Sequence, residues 1–77
     1  MNAAASPYRP IPCSAHERLE LAVLRRQWLT LDVAGAAQRV LPVDVYTQNG
    51  AEWLRARDAS GASVIFRLDA LRLIAIA

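Results

Sequence analysis

Between Arg26 and Trp28 the hydrophobic period of this chain changes from 3.6 to 2, which limits the fold to one helix followed by β-structure. Upstream of the change, Ser14-Ala15-His16-Glu17 fits a capping box. In that arrangement the Ser14 hydroxyl accepts from the Glu17 amide and the Glu17 carboxylate reaches back to the Ser14 amide. A helix is expected over residues 14–26, with Arg25 and Arg26 in its last turn, where the helix dipole favours cations. At 100° per residue the segment carries two stripes. Ala15, Leu19, Ala22 and Val23 form the natural core face, and Glu17, Glu20, Leu21 and Leu24 form the opposite one. Two acids beside two leucines have two readings: a rim of the core that wraps round to Leu21, or a stripe that meets a partner.

Downstream, Trp28 to Val33 alternates, with Leu29, Leu31 and Val33 inward, and Ala34-Gly35 reads as a tight turn. Gln38 to Val45 is the expected second strand. Pro42 within it demands an edge position or a bulge, because proline cannot donate to a ladder. Tyr46 to Gly50 reads as a loop ending in the turn dipeptide Asn49-Gly50. Glu52–Arg57 is the third strand and Asp58–Gly61 a turn. Ser63–Leu68 is the fourth strand, with Val64, Phe66 and Leu68 on one face, and Leu71–Ala77 is the fifth. The expectation is a mainly β fold with one N-terminal helix, in which residues 28–77 make a small five-stranded antiparallel barrel. Strand count alone does not separate an Sm-like from an OB-like barrel, and the helix-first order favours Sm-like. Ahead of the helix, the two prolines of residues 8–13 hold an extended strap that packs Tyr8 and Ile11 on the fold. Residues 1–7 read as a disordered start.

Seventy-seven residues allow one domain with one core, and a chain of this length buries only about 60% of its unfolded surface. One cysteine and one histidine cannot make a disulfide or a structural zinc site, so packing alone must hold the fold, with no metal and no cofactor. Cys13 is expected to lie buried as a small apolar side chain beneath the strap. The glycines are scattered at turns rather than gathered into a phosphate loop, and no carboxylate pair stands in a catalytic pattern. A non-enzymatic binding module is therefore expected. The apolar runs are too short to span a bilayer and Met1 to Ala5 lacks a basic region, which points to the cytoplasm. The net charge is +2, with every basic residue an arginine. Abundant Ala and Arg follow from GC-rich coding, so this charge is by itself a weak nucleic-acid signal.

A more local nucleic-acid pattern exists. Trp53, Arg55 and Arg57 alternate onto one face of the third strand, with Arg67 on the next and Arg72 on the one after, and aromatic plus arginine on a barrel face suits single-stranded RNA. The competing reading is a solvated outer face whose arginines pair with Asp32, Asp44 or Asp58.

One ordered set of residues goes further. Tyr8-x-Pro10-Ile11-x-Cys13, Leu19-Glu20-x-Ala22, Gly35, Asp44, Glu52-Trp53-Leu54, Gly61 and Arg67-Leu68-Asp69 resembles the Rof family of Rho-binding antiterminators from Tyr8 to about Leu73. The resemblance implies a helix on a five-stranded Sm-like barrel. It implies a monomer that covers the primary RNA-binding surface of the hexameric terminator Rho and suppresses termination. Glu17 and Glu20 match the two helix acids of the family. Their implied role is to stand in for RNA phosphates opposite Arg or Lys of Rho, with Leu21 and Leu24 adding apolar contact. Because the chain is net basic, that acidic mimicry must be local to the helix.

Overall fold

The computed structural model describes residues 7–76. Helix α1 (Cys13–Arg25) is followed by strands β1 (Leu29–Val33), β2 (Ala36–Gln48), β3 (Ala51–Asp58) and β4 (Ser63–Arg67), a 3₁₀ turn (Leu68–Ala70) and β5 (Leu71–Ile76). The strands form one antiparallel sheet in the order β4-β3-β2-β1-β5. Of the disordered start expected for residues 1–7, all but Pro7 lies outside the described residues.

The helix begins earlier than the capping box predicts. Pro12 occupies the cap with ψ 144°, and its carbonyl accepts the first helical bond from the His16 amide at 3.0 Å. Ser14 is already helical, so its hydroxyl cannot take the capping role, and no side chain caps this end. The earlier start also turns Cys13 into solvent, which corrects its expected burial. At the other end Arg26 adopts the left-handed conformation, φ 52°, ψ 48°. Its amide bonds to Val23 at 3.3 Å and that of Gln27 to Ala22 at 3.0 Å, a Schellman closure. Glycine holds this conformation without the penalty of about 1 kcal/mol that a Cβ brings. Arg26→Gly is therefore expected to raise unfolding stability by about 0.5–1 kcal/mol in urea titrations. A loss instead would mean that the Arg26 side chain holds the corner.

The predicted core face of the helix is the buried one. Leu19 and Ala22 are fully buried and join Leu29, Leu31, Val40, Leu54, Ala56 and Leu68 in one cluster, against which Tyr8, Ile11, Val45, Phe66 and Leu73 pack. The helix lies chiefly against β2. Two-residue turns at Ala34-Gly35 and Asn49-Gly50, positive in φ throughout, fold β1 onto β2 and β2 onto β3. Tyr46 to Gln48, expected in a loop, instead extend β2, because the Asn49-Gly50 turn alone suffices to reverse the chain.

Strand β2 is the pivot of the sheet. Residues up to Val40 pair with β1, and those from Val40 onward pair with β3. Pro42 lies past the last β1 partner and next to a bulge between Pro42 and Asp44, so its missing donor interrupts no ladder on the β1 side. The extra residue, Val43, resets the alternation. Pro42 faces Ala56 on the buried side, whereas Asp44 faces Arg55 and Val45 faces Leu54. A second bulge lies between Thr30 and Leu31 against β5, where Ile74 is the extra residue.

The expected barrel does not close. Strands β4 and β5 stand at opposite edges of the sheet with no pairing between them among the described residues. Only the three-residue 3₁₀ turn joins them, so the sheet must curl to bring its edges together at that end. Both edge strands are short, and each spends its pairing on its inner neighbour. The corner is filled by the fully buried Leu68 and clamped from outside by the strap, whose Arg9 amide donates to Asp69 at 2.9 Å. No helix among the described residues is long and apolar enough to cross a membrane.

Candidate functional site

Once Leu19 and Ala22 are turned inward, the helical period leaves Glu17, Glu20, Leu21 and Leu24 on the outer side, and all four are exposed. Leu21, to which a rim of the core would wrap, is 43% exposed and Leu24 is 78% exposed, so both leucines lie outside the buried core. Glu17, Glu20, Leu21, Val23 and Leu24 line a groove of about 460 Å³ with Asp44 and Val45 of β2. Asp44 and Val45 were not foreseen as part of this surface. They reach it through the bulge at Val43, a feature whose register is set by pairing with β3. The groove is therefore lined by four apolar side chains and three carboxylates. Asp44 is also the partner of Arg55 at 3.3 Å, but both side chains are about half exposed, so water competes strongly with that pair. Among the described residues Glu17 makes no ion pair or hydrogen bond, and Glu20 meets only His16.

The second candidate face is assembled as the alternation predicts, but its polar groups are engaged. Trp53 is paired across the sheet with Tyr46 on one side and Arg67 on the other. Its indole N–H donates to the Gln48 carbonyl at 3.0 Å. Arg55 pairs with Asp44 and its guanidinium stands 5.7 Å from the Tyr46 ring centre. Arg57 donates to the Gly61 carbonyl at 3.3 Å. Arg67 grips Asp69 through Nε at 2.7 Å and Nη2 at 2.8 Å, and lies 5.5 Å from the Tyr8 ring centre. Arg72 pairs with Asp32 at 2.9 Å. Of the three acids expected to neutralise this face, Asp44 does so, whereas Asp32 serves Arg72 on β5, which the open sheet carries to the edge opposite Arg67. Asp58 instead organises its own turn, accepting from the Ser60 hydroxyl and from the amides of Ser60 and Ala62. Those bonds, the Ser60 hydroxyl first, hold its carboxyl below the ordinary value.

A third cluster joins three distant parts of the chain and was not anticipated. The Tyr8 hydroxyl donates to Glu52 Oε1 at 2.9 Å. Glu52 Oε2 lies 2.8 Å from His16 Nε2, and His16 Nδ1 lies 3.4 Å from Glu20 Oε1. Burial first, then the hydrogen bond to Glu52, pushes the Tyr8 phenol up to about 12. The i,i+4 spacing of His16 and Glu20 was visible in the sequence. Their connection to Glu52 and Tyr8 spans the whole fold and was not.

Behind Tyr8, the Arg67 and Arg9 contacts hold the Asp69 carboxyl below its ordinary 3.8, with the Arg67 hydrogen bonds the largest cause. An acid whose native pKa is depressed adds stability that is present above its unfolded pKa and lost as pH falls through the native one. Asp69→Asn is thus expected to destabilise the chain at pH 7, the gap to wild type closing as the pH drops below about 4. Urea midpoints across pH 2 to 7 measure this. A gap that stays constant would assign the loss to packing rather than to the ion pair.

In comparisons with family models, with curated proteins and with solved structures, nothing matches this chain. The class that fold and site define is a small open β-sheet domain with one helix, whose outer stripe borders an apolar groove rimmed by carboxylates.

Proposed function

We propose that this domain binds the transcription termination factor Rho and suppresses Rho-dependent termination by occupying its primary RNA-binding surface. The observation that carries this reading is the helix stripe. Glu17 and Glu20 stand in solvent beside the exposed Leu21 and Leu24, at the margin of an apolar groove. Carboxylates at this margin can take charge-assisted hydrogen bonds from arginine or lysine that otherwise hold RNA phosphate. The leucines supply the desolvated centre that such bonds need in order to count. The ordered residues that resemble the Rof family supply the identity of the partner. On this reading the curled sheet is an open form of the Sm-like barrel, and the chain acts as a cytoplasmic monomer without catalysis or cofactor. Direct RNA binding through Trp53, Arg55, Arg57 and Arg67 is the weaker reading. Arg55 and Arg67 are already paired with carboxylates and the Trp53 indole N–H is already used.

The test is binding of the purified chain to purified Rho at physiological salt, with a single-stranded RNA oligonucleotide as competitor. Binding that RNA displaces is the expected result. Absence of binding, or binding indifferent to RNA, overturns the proposal. Affinity for RNA alone that falls steeply with salt would favour the second reading.

A further inference from the structure

The His16 imidazole stands between two carboxylates on two different elements. Its Nε2 is 2.8 Å from Oε2 of Glu52 on β3, and its Nδ1 is 3.4 Å from Oε1 of Glu20 on α1. A carboxylate oxygen only accepts, and a neutral imidazole has one N–H. The neutral ring can therefore satisfy one neighbour and must present a lone pair to the other. The shorter contact belongs to Glu52, whose second oxygen is already held by the Tyr8 hydroxyl at 2.9 Å. Glu20 is then the carboxylate left facing a lone pair. Its side chain is 55% exposed, so nothing prevents it from swinging into solvent. A protonated ring has two N–H groups and can hold both carboxylates at once.

We infer that His16 is a proton-operated latch on Glu20. With a neutral ring, Glu20 is released to the outer stripe. With a charged ring, Glu20 is drawn back along the helix and its charge is neutralised where it stands. The groups that face His16 come from every element around it. Glu17, Glu20 and Cys13 lie on the helix, Glu52 lies on β3, and Tyr8 lies on the strap with Arg67 and Asp69 behind it. Glu17 borders the same depression as His16 and Glu52 but is bonded to neither. Gain of one proton changes the ring from one N–H and one lone pair to two N–H groups, which is the whole of the switch. Its consequence for docking rests on the Rho reading. One of the two stripe carboxylates is withdrawn as the pH falls, and the grip on a basic groove loosens. The latch itself rests only on the geometry of the free chain.

The experiment has two arms. In the free chain, carbon chemical shifts of the Glu20 carboxyl and of the His16 ring are followed by NMR from about pH 8 to 5. A Glu20 inflection that coincides with the transition of the His16 ring is expected. A Glu20 carboxyl indifferent to the His16 transition overturns the latch, whatever Rho does. In the second arm, Rho affinity is measured for wild type and His16→Gln at about pH 8 and 5.5. Taking the ratio of the two proteins cancels any titration of Rho itself. Wild type is expected to lose about two- to fivefold more affinity than the variant on acidification, the range an exposed ion pair commands. Equal losses overturn the regulatory role. If neither protein binds Rho at either pH, the function reading fails alone, and the NMR arm still decides the latch.

Discussion

The double substitution Glu17→Arg with Glu20→Arg is expected to lower affinity for Rho at least about a hundredfold and to leave the domain folded. Each carboxylate opposite a basic groove is worth about 1.5–3 kcal/mol as a charge-assisted hydrogen bond. Reversal adds like-charge repulsion to that loss. Two such sites exceed the roughly 2.8 kcal/mol that a hundredfold change requires. The fold should not notice. Glu17 is exposed and unpaired among the described residues, and Glu20 loses only a 3.4 Å contact with His16. Arginine and glutamate have nearly equal helix propensity, so the helix itself is preserved. Calorimetry or biolayer titration against Rho gives the affinity, and far-UV circular dichroism with a urea melt gives the fold. Undiminished affinity in a folded double variant would remove the helix stripe as the docking site. A second comparison sharpens the result. Leu24→Ala, at the most exposed leucine, should weaken Rho binding while leaving stability within about 0.5 kcal/mol of wild type.

The second large effect is on stability. Leu54→Ala should cost about 2–5 kcal/mol, through lost transfer energy and the cavity left behind. Leu54 is fully buried on β3, opposite Val45 of β2 on one side and Phe66 of β4 on the other. A domain of this size has only about 4–11 kcal/mol in total. The melting temperature should therefore fall by about 10 °C or more, and at the upper end the chain unfolds near room temperature. Ile65→Ala is the matched control. Ile65 lies on the neighbouring strand, opposite Arg55, and is 55% exposed, so its loss should change stability by no more than about 0.5 kcal/mol. Equal destabilisation by the two changes would mean that the inner face of β3 and β4 has been assigned to the wrong side.

The contrast between Leu54 and Ile65 illustrates what a linear reading can reach. Alternation in Ser63 to Leu68 assigns Val64, Phe66 and Leu68 to one face, and the packed core agrees for Val64 and Phe66 because a strand reverses its side chains at every residue, while the strand stops at Arg67 and Leu68 is buried by the 3₁₀ turn instead. Pro42 demands an edge position or a bulge for an equally local reason, its missing donor, and pairing with β3 supplies the bulge. The capping box failed where two local signals competed. Pro12 can end the extended strap and accept the first helical bond, so Ser14 was never needed as a cap. The buried Cys13 failed with it, since starting the helix at residue 13 rotates that side chain outward.

The candidate site divides in the same way. Glu17, Glu20, Leu21 and Leu24 were legible because a helical stripe is a matter of spacing alone. Asp44 and Val45 were not, because a bulge shifts every later side chain by one and its position depends on which residue of β3 sits opposite. The chain of Tyr8, Glu52, His16 and Glu20 lies deeper still, since beyond the i,i+4 pair of His16 and Glu20 its members meet only where strap and helix both reach Glu52 of β3.

By itself, then, the sequence determined the order of one helix and five strands, the tight turns at Ala34-Gly35, Asn49-Gly50 and Asp58–Gly61, the inward faces of the helix and of the first and fourth strands, and the acid-leucine stripe. All of these depend on interactions within a few residues, where periodicity, proline and glycine dominate. The tertiary structure decided whether the sheet closes, where the bulges fall, which carboxylate each arginine takes and what stands beside His16. Each of these is a choice among partners distant in the chain. Such choices are settled by how the elements pack around Leu19, Leu54 and Leu68, and by which backbone groups remain to be paired once they have packed.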